Sequence, residues 1–298
     1  MSSTTTQEAG RRLCLLFEAG PARYAIEATR VMEVAPPDAG RPSVHGLLPL
    51  EDLSVLMGGA PERRPGLAVV LDVSPTRAVR VREGAEVADV GGAPHFQLTR
   101  DLATRIGELV RGALLHSGRL YLELRADALG QSCVLPAPPP RIVTWLEAAE
   151  GQPMLLFQSG GTVFALPLSQ VLHISAVGPA FCPFPVPGGV VAGMLAHGQA
   201  LWPVYALPGF FGGPLTVEPH VVLAELAEMQ VALCASRVLG VESRFTRGSV
   251  PGEWRTGSGQ CALLPDVTRL LSASNLTARS VGPSDALSPH VQDPARRR

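Results

Sequence analysis

Residues Leu15–Val34 read LLFEAGPARYAIEATRVMEV, and residues Leu155–Ile174 read LLFQSGGTVFALPLSQVLHI. Set one over the other without a gap, they agree at six of 20 positions: Leu15/Leu155, Leu16/Leu156, Phe17/Phe157, Gly20/Gly160, Ala25/Ala165 and Val31/Val171. Tyr24/Phe164 and Ile26/Leu166 are conservative. In each stretch an apolar run stops at a Gly turn and resumes as aromatic-Ala-aliphatic, the pattern of a β-hairpin. Two further matches follow in the same order. Pro49–Gly59 pairs with Pro203–Gly213, and Gly118–Leu129 pairs with Gly259–Leu270. Ordered self-similarity at a near-constant offset predicts a duplicated domain.

The rest of the chain reads as β. Short apolar runs at Val44–Leu48, Gly66–Val73, Ala78–Val81 and Arg119–Leu124 are followed by Val190–Leu195, Ala200–Ala206, Val221–Leu226, Val231–Ala235 and Cys261–Leu264. Gly and Pro punctuate them, and Asn275 is the only asparagine. Many short strands at close spacing predict an all-β sandwich or barrel architecture. Helical candidates are few: Thr29–Glu33, Leu98–Leu109, Val143–Glu150 and Asp266–Leu271. The stiff Pro136–Pro140 run divides the chain into two segments of ordinary domain size. The expected boundaries are a disordered 1–12, a first domain 13–130, a linker 131–152, a second domain 153–271 and a disordered tail 272–298.

Charge narrows the function. The chain has 298 residues and net charge −1, and all 25 basic residues are arginine. Without lysine, no Schiff base can hold pyridoxal and no P-loop lysine can reach a phosphate. Near-neutral charge argues against nucleic acid as a partner. From Gly151 to Val217 there are 67 residues with no Asp, Glu, Lys or Arg. A membrane span needs about 20 apolar residues. The best window, Gly188–Gly213, contains His197, Gln199, Pro203, Pro208 and seven glycines, so a buried or partner-facing β segment is expected instead of membrane insertion. The N-terminus has no apolar signal core, which predicts a cytoplasmic protein. Cys14, Cys133, Cys182, Cys234 and Cys261 are odd in number and widely spaced, and read as reduced thiols.

No catalytic motif emerges. Gly248-Ser249-Val250-Pro251-Gly252 puts a proline where a nucleophile elbow must enter a helix. The histidines show no metal spacing. His173, in an apolar run, reads as half-buried, and His197, before Gly198, as a hairpin tip. Glu51 and Asp52 are adjacent and point to opposite strand faces, which suits surface and capping roles. A non-enzymatic binding module without cofactor or metal is the expectation.

The repeated unit resembles the CheW-like domain of bacterial chemotaxis signalling. The resemblance is carried by Phe17, Gly20, Tyr24-Ala25-Ile26 and Val31-Met32-Glu33-Val34, and again by Phe157, Gly160, Phe164-Ala165-Leu166 and Val171-Leu172-His173-Ile174. The second copy adds Gly193–Gly198, Leu201–Leu207 and Val238-Leu239-Gly240-Val241. The resemblance implies two small five-stranded SH3-like barrels per domain. It also implies a non-catalytic adaptor that couples a chemoreceptor's cytoplasmic signalling tip to the regulatory domain of a histidine kinase. Candidate partner-binding residues are Leu47, Asp52, His197, Gly198, Leu201, Trp202, Val204, Tyr205, Phe210 and Phe211.

Each copy departs from the family pattern. His197 stands where the family has a turn arginine, in a turn one residue shorter, and Ala206 replaces a strand Asp that the first copy keeps as Asp52. Histidine is charged only near or below about pH 6.5, so a constant positive contact becomes conditional. The first copy runs from Val44–Leu48 straight into Pro49 and is expected to have lost the hairpin. The alternative is a structural interaction module outside receptor arrays, with the two domains packed on each other through the uncharged surface.

Overall fold

The computed structural model describes residues 11–57, 60–62, 66–99, 102–103, 106–130, 143–147, 151–184, 190–213, 215–226 and 229–275. The first half holds β1 (Leu13–Ala19), β2 (Ala22–Glu27), β3 (Val31–Ala35), β4 (Ser43–Val44), β5 (Leu48–Asp52), α1 (Leu53–Leu56), β6 (Gly66–Leu71), β7 (Arg77–Arg82), β8 (Glu86–Asp89), β9 (His95–Leu98), β10 (Val110–His116), β11 (Arg119–Leu124) and α2 (Ala126–Gly130). The second holds β12 (Met154–Ser159), β13 (Thr162–Pro167), β14 (Val171–Ala176), β15 (Phe181–Pro183), β16 (Val191–His197), β17 (Ala200–Tyr205), β18 (His220–Leu226), β19 (Met229–Ala235), β20 (Arg237–Glu242), β21 (Phe245–Arg247), β22 (Glu253–Thr256), β23 (Cys261–Leu263) and α3 (Val267–Asn275). The fold is all-β, as the pattern of short runs predicts.

The opening hairpins pair in the same register. Leu15 faces Ile26 and Phe17 faces Tyr24, as Leu155 faces Leu166 and Phe157 faces Phe164. Gly20 and Gly160 take positive φ at the turns, where an L side chain is strained. Correspondence continues along the halves. Leu50 pairs in parallel with Ala78, and Val204 with Ala232. Leu122 pairs in parallel with Tyr24, and Leu263 with Phe164.

The strands form three hydrogen-bonded sheets. One runs β3-β6-β7-β5-β4, wholly from the first half, and another runs β20-β12-β13-β23-β22-β21, wholly from the second. The largest runs β14-β18-β19-β17-β9-β10-β11-β2-β1-β8, with β15 and β16 off that path. It contains strands of both halves, joined where β17 lies parallel to β9 through Ala200–Gln97 and Leu201–Leu98. One apolar core also runs through both halves and includes Phe17, Tyr24, Phe157, Phe164, Phe184 and Leu201.

Several local expectations change. The first-half hairpin is shortened rather than lost: β4 keeps two residues, with Ser43 opposite Pro49 and Val44 opposite Leu48. Asp38 holds this stub by accepting from Ser43 Oγ at 2.7 Å and Gly46 N at 2.8 Å. Thr29–Glu33 is not a helix. A single 3-10 turn at Ala28–Arg30 gives way to β3, where β-branched Val31 and Val34 favour the extended chain. Nor is Val143–Glu150 helical where described. Trp145 bridges Pro265, and Leu146 N donates to Leu264 O at 3.0 Å, so this piece of the linker is fastened along the second half. Within Leu98–Leu109, Leu102, Ala103 and Ile106 are helical, while Leu98 ends β9. The helix expected at Asp266–Leu271 forms as α3 and extends to Asn275, into the segment expected to be disordered. Residues 1–10, 131–142 and 276–298 lie outside the described residues, so the disorder expected of the termini and the Pro-rich spacer is not described.

Candidate functional site

The candidate residues separate into a buried set and an exposed set. Leu201, Trp202, Val204, Tyr205 and Phe210 are buried, so they do not form an accessible docking face. Their own spacing explains this. Along β17, Leu201 and Tyr205 enter one apolar cluster and the alternating Trp202 and Val204 enter another, so both faces of the strand are covered. Leu201 belongs to the joint with β9. Asp52 is half-buried and caps α1. It accepts from Ser54 N at 2.9 Å and from Glu62 N at 2.7 Å, while its neighbour Glu51 pairs with Arg77 at 2.6 Å.

Leu47, His197, Gly198 and Phe211 remain exposed, and they lie at three separate turns. Leu47 is 85% exposed in the β4–β5 turn. His197 and Gly198 form the β16–β17 tip, where Gly198 takes φ 62. Phe211, in the turn after β17, stacks on Trp145 at 5.7 Å and on Phe164 at 5.9 Å between ring centroids. It therefore clamps the linker to the second half.

The structure exposes residues that their sequence context hides. Met32 and Val34 on β3, and the matching Leu172 and Ile174 on β14, point to solvent. In an apolar strand run such residues read as core. They are exposed because β3 and β14 lie at sheet ends, and each is bulged where it meets its neighbour, between Val31 and Glu33 and between Val171 and His173. His173 is exposed rather than half-buried. It stacks on His197 at 5.9 Å, and His197 meets the edge of Trp202 at 5.7 Å. The β14 strip is thus apolar, aromatic and free of Asp, Glu and Arg.

A second cluster was also hidden by sequence distance. Glu123 is buried and takes Arg12 Nη2 at 2.7 Å, Arg111 Nη2 at 3.4 Å and His95 Nδ1 at 3.4 Å, and Glu27 bridges the same two arginines. Each of these carboxylates has a cationic neighbour, so the cluster satisfies a buried acid and ties β1, β2, β9, β10 and β11 together. Burial pushes the thiols of Cys14 and Cys234 up to about 11 and raises that of Cys182. These three carry no disulfide, and Cys261 is free and exposed. Cys133 lies outside the described residues. Among the described residues, no group of three His, Cys, Asp or Glu side chains is arranged to hold a metal ion. No helix among them is long and apolar enough to cross a membrane.

Comparison with known proteins places the second half. Residues 153–275 match the family model described as the CheW-like domain. Among solved structures, the chain is similar to the scaffolding protein TtCheW from Thermoanaerobacter tengcongensis, at 13% identity over 42% of this chain and 99% of that one, with a TM-score of 0.34. No curated protein matches the chain.

Proposed function

We propose that the protein is a non-catalytic, cytoplasmic adaptor of chemotaxis-type signalling, built of two divergent CheW-like copies at 13–130 and 153–271. It couples the cytoplasmic signalling tip of a chemoreceptor to the regulatory domain of a histidine kinase. Each copy comprises two small SH3-like barrels. The observation that carries this reading is the family match of residues 153–275. The strand registers shared with the first half support the second copy.

On this reading the exposed strips Met32–Val34 and Leu172–Ile174 are the docking faces, because small apolar patches on otherwise polar surfaces supply most binding energy. The test is co-purification with receptor tips and kinase regulatory domains from the same genome. Micromolar binding that Leu172→Glu with Ile174→Glu weakens by more than about tenfold is the expected result. No binding to any such partner overturns the coupling role.

A second reading is favoured by the β17–β9 pairing: a structural module outside receptor arrays, in which the two domains serve as each other's partner. It predicts that the excised residues 150–272 are insoluble while the full chain is soluble, because the uncharged surface loses its cover.

A further inference from the structure

The joint between the halves has a direction. Within the largest sheet, β17 of the second half, followed in that half by β18 and β19, meets β9 of the first half, which precedes β10 and β11. Around it, Arg23 Nη2 donates to Phe181 O at 2.5 Å, Arg23 N to Cys182 Sγ at 3.4 Å, and Leu120 N to Pro179 O at 3.3 Å. Tyr24 and Phe184 meet edge-on at 6.5 Å. The two surfaces are different, so the joint is heterologous. Repeated from copy to copy, such a joint generates an open chain or a ring.

Whether it repeats depends on the counterparts that face outward. Register gives them. Leu50–Ala78 matches Val204–Ala232, so the joint residues Ala200 and Leu201 correspond to Gly46 and Leu47. Those two lie in the β4–β5 turn, where Gly46 takes φ 69, and not on a strand. Leu122 matches Leu263, and their neighbours across the hairpin are Ala113 and Glu253. By this register Gln97 and Leu98 correspond to Ser249 and Val250. These follow β21 in a reverse turn in which Gly248 N donates to Glu253 O at 2.8 Å and Glu253 N to Val250 O at 3.0 Å. At both positions the inner member offers strand backbone and the outer member is a turn. A turn cannot add a parallel strand.

We propose that this chain carries its own end-to-end joint and that both outward ends are closed, so that the two halves form a self-terminating pair that accepts no further copy of this fold by the same joint. The inference rests on the reading of the halves as two divergent copies. Its consequence is that partners meet the molecule from the side, at strips such as Met32–Val34 and Leu172–Ile174, and the protein stands outside any end-to-end row built with that joint.

The test uses the full chain. Sedimentation over about a hundredfold range of micromolar concentration should return one mass, 31.4 kDa, throughout. A protease site placed within Pro136–Pro140 then allows the folded protein to be cut, and the two pieces should still migrate together at the intact mass. Adding Arg23→Glu to the cut protein should let the pieces separate at a higher concentration than without it. A mass that grows with concentration overturns the closed ends. Pieces that part freely at micromolar concentration overturn the built-in joint. Failure to bind receptor or kinase would overturn the coupling role and leave both masses unchanged.

Discussion

At the scale of single residues, two positions show how backbone and charge are used. Gly160 takes φ 55, and a Cβ there would lie 2.6 Å from Pro208 Cγ. Gly160→Ala combines left-handed strain with a steric clash against a rigid ring. It should lower stability by about 1–3 kcal/mol, read as a drop in the denaturant midpoint. Gly160 N also donates to buried Glu218 Oε1 at 2.8 Å, so a shift of this turn disturbs a buried carboxylate as well. His45, in the shortened hairpin, meets Glu33 Oε2 at 2.9 Å, and that hydrogen bond raises its pKa above the ordinary 6.5. A histidine raised on folding contributes stability that is fully present below its unfolded pKa and is lost as pH rises through the folded one. An NMR titration should place His45 above an unstructured histidine, and Glu33→Gln should bring it down. An unchanged titration would mean the pair does not persist in solution.

At the scale of elements, accessibility separates the cysteines. Cys14, Cys182 and Cys234 are buried on β1, β15 and β19, where burial raises their pKa values; Cys261 opens β23 and is exposed, and its thiol is raised as well, by a hydrogen bond to Glu253, so exposure alone sets it apart. In a Cys133→Ser background, a thiol reagent near pH 8 should modify Cys261 alone in the native protein and the other three only on unfolding. Fast modification of Cys182 would show that the joint opens, since its sulfur lies against the Arg23 backbone of the other half. The edge strands tell the complementary story. Leu172→Glu and Ile174→Glu lie on solvent-facing positions of β14 and should change stability by no more than about 0.5 kcal/mol. A larger loss would mean that the strip is covered within this chain.

At the scale of the whole molecule, a core shared by both halves and a sheet that crosses between them predict cooperative unfolding. Calorimetry should show one transition with a calorimetric to van't Hoff enthalpy ratio of about one. Two resolved transitions would show that the joint is too weak to couple the halves. The uncharged run from Gly151 to Val217 finds part of its explanation here. Phe181, Cys182, Phe184 and Leu201 are buried at or near the joint, where an unpaired charge would be costly.

By itself the sequence determined what depends on local pattern. The paired hairpins at Leu15–Ile26 and Leu155–Leu166, the all-β class and the capping role open to Asp52 follow from alternation, turn residues and side-chain reach, which act over a few residues. The CheW-like resemblance was legible for the same reason, since its motifs are short and ordered. Only the tertiary structure decided which apolar residues face water. Trp202 and Leu172 look alike in sequence, yet one is buried and the other exposed. The difference is that Trp202 packs into an apolar cluster with Phe181, Leu195 and Val221, while Leu172 lies on the solvent face of the end strand β14. The Glu123 cluster and the β17–β9 joint likewise join residues 111 and about 100 positions apart, a separation that no local pattern encodes. Burial is a property of the assembled sheet, and the sheet's order is set by how the two halves pack.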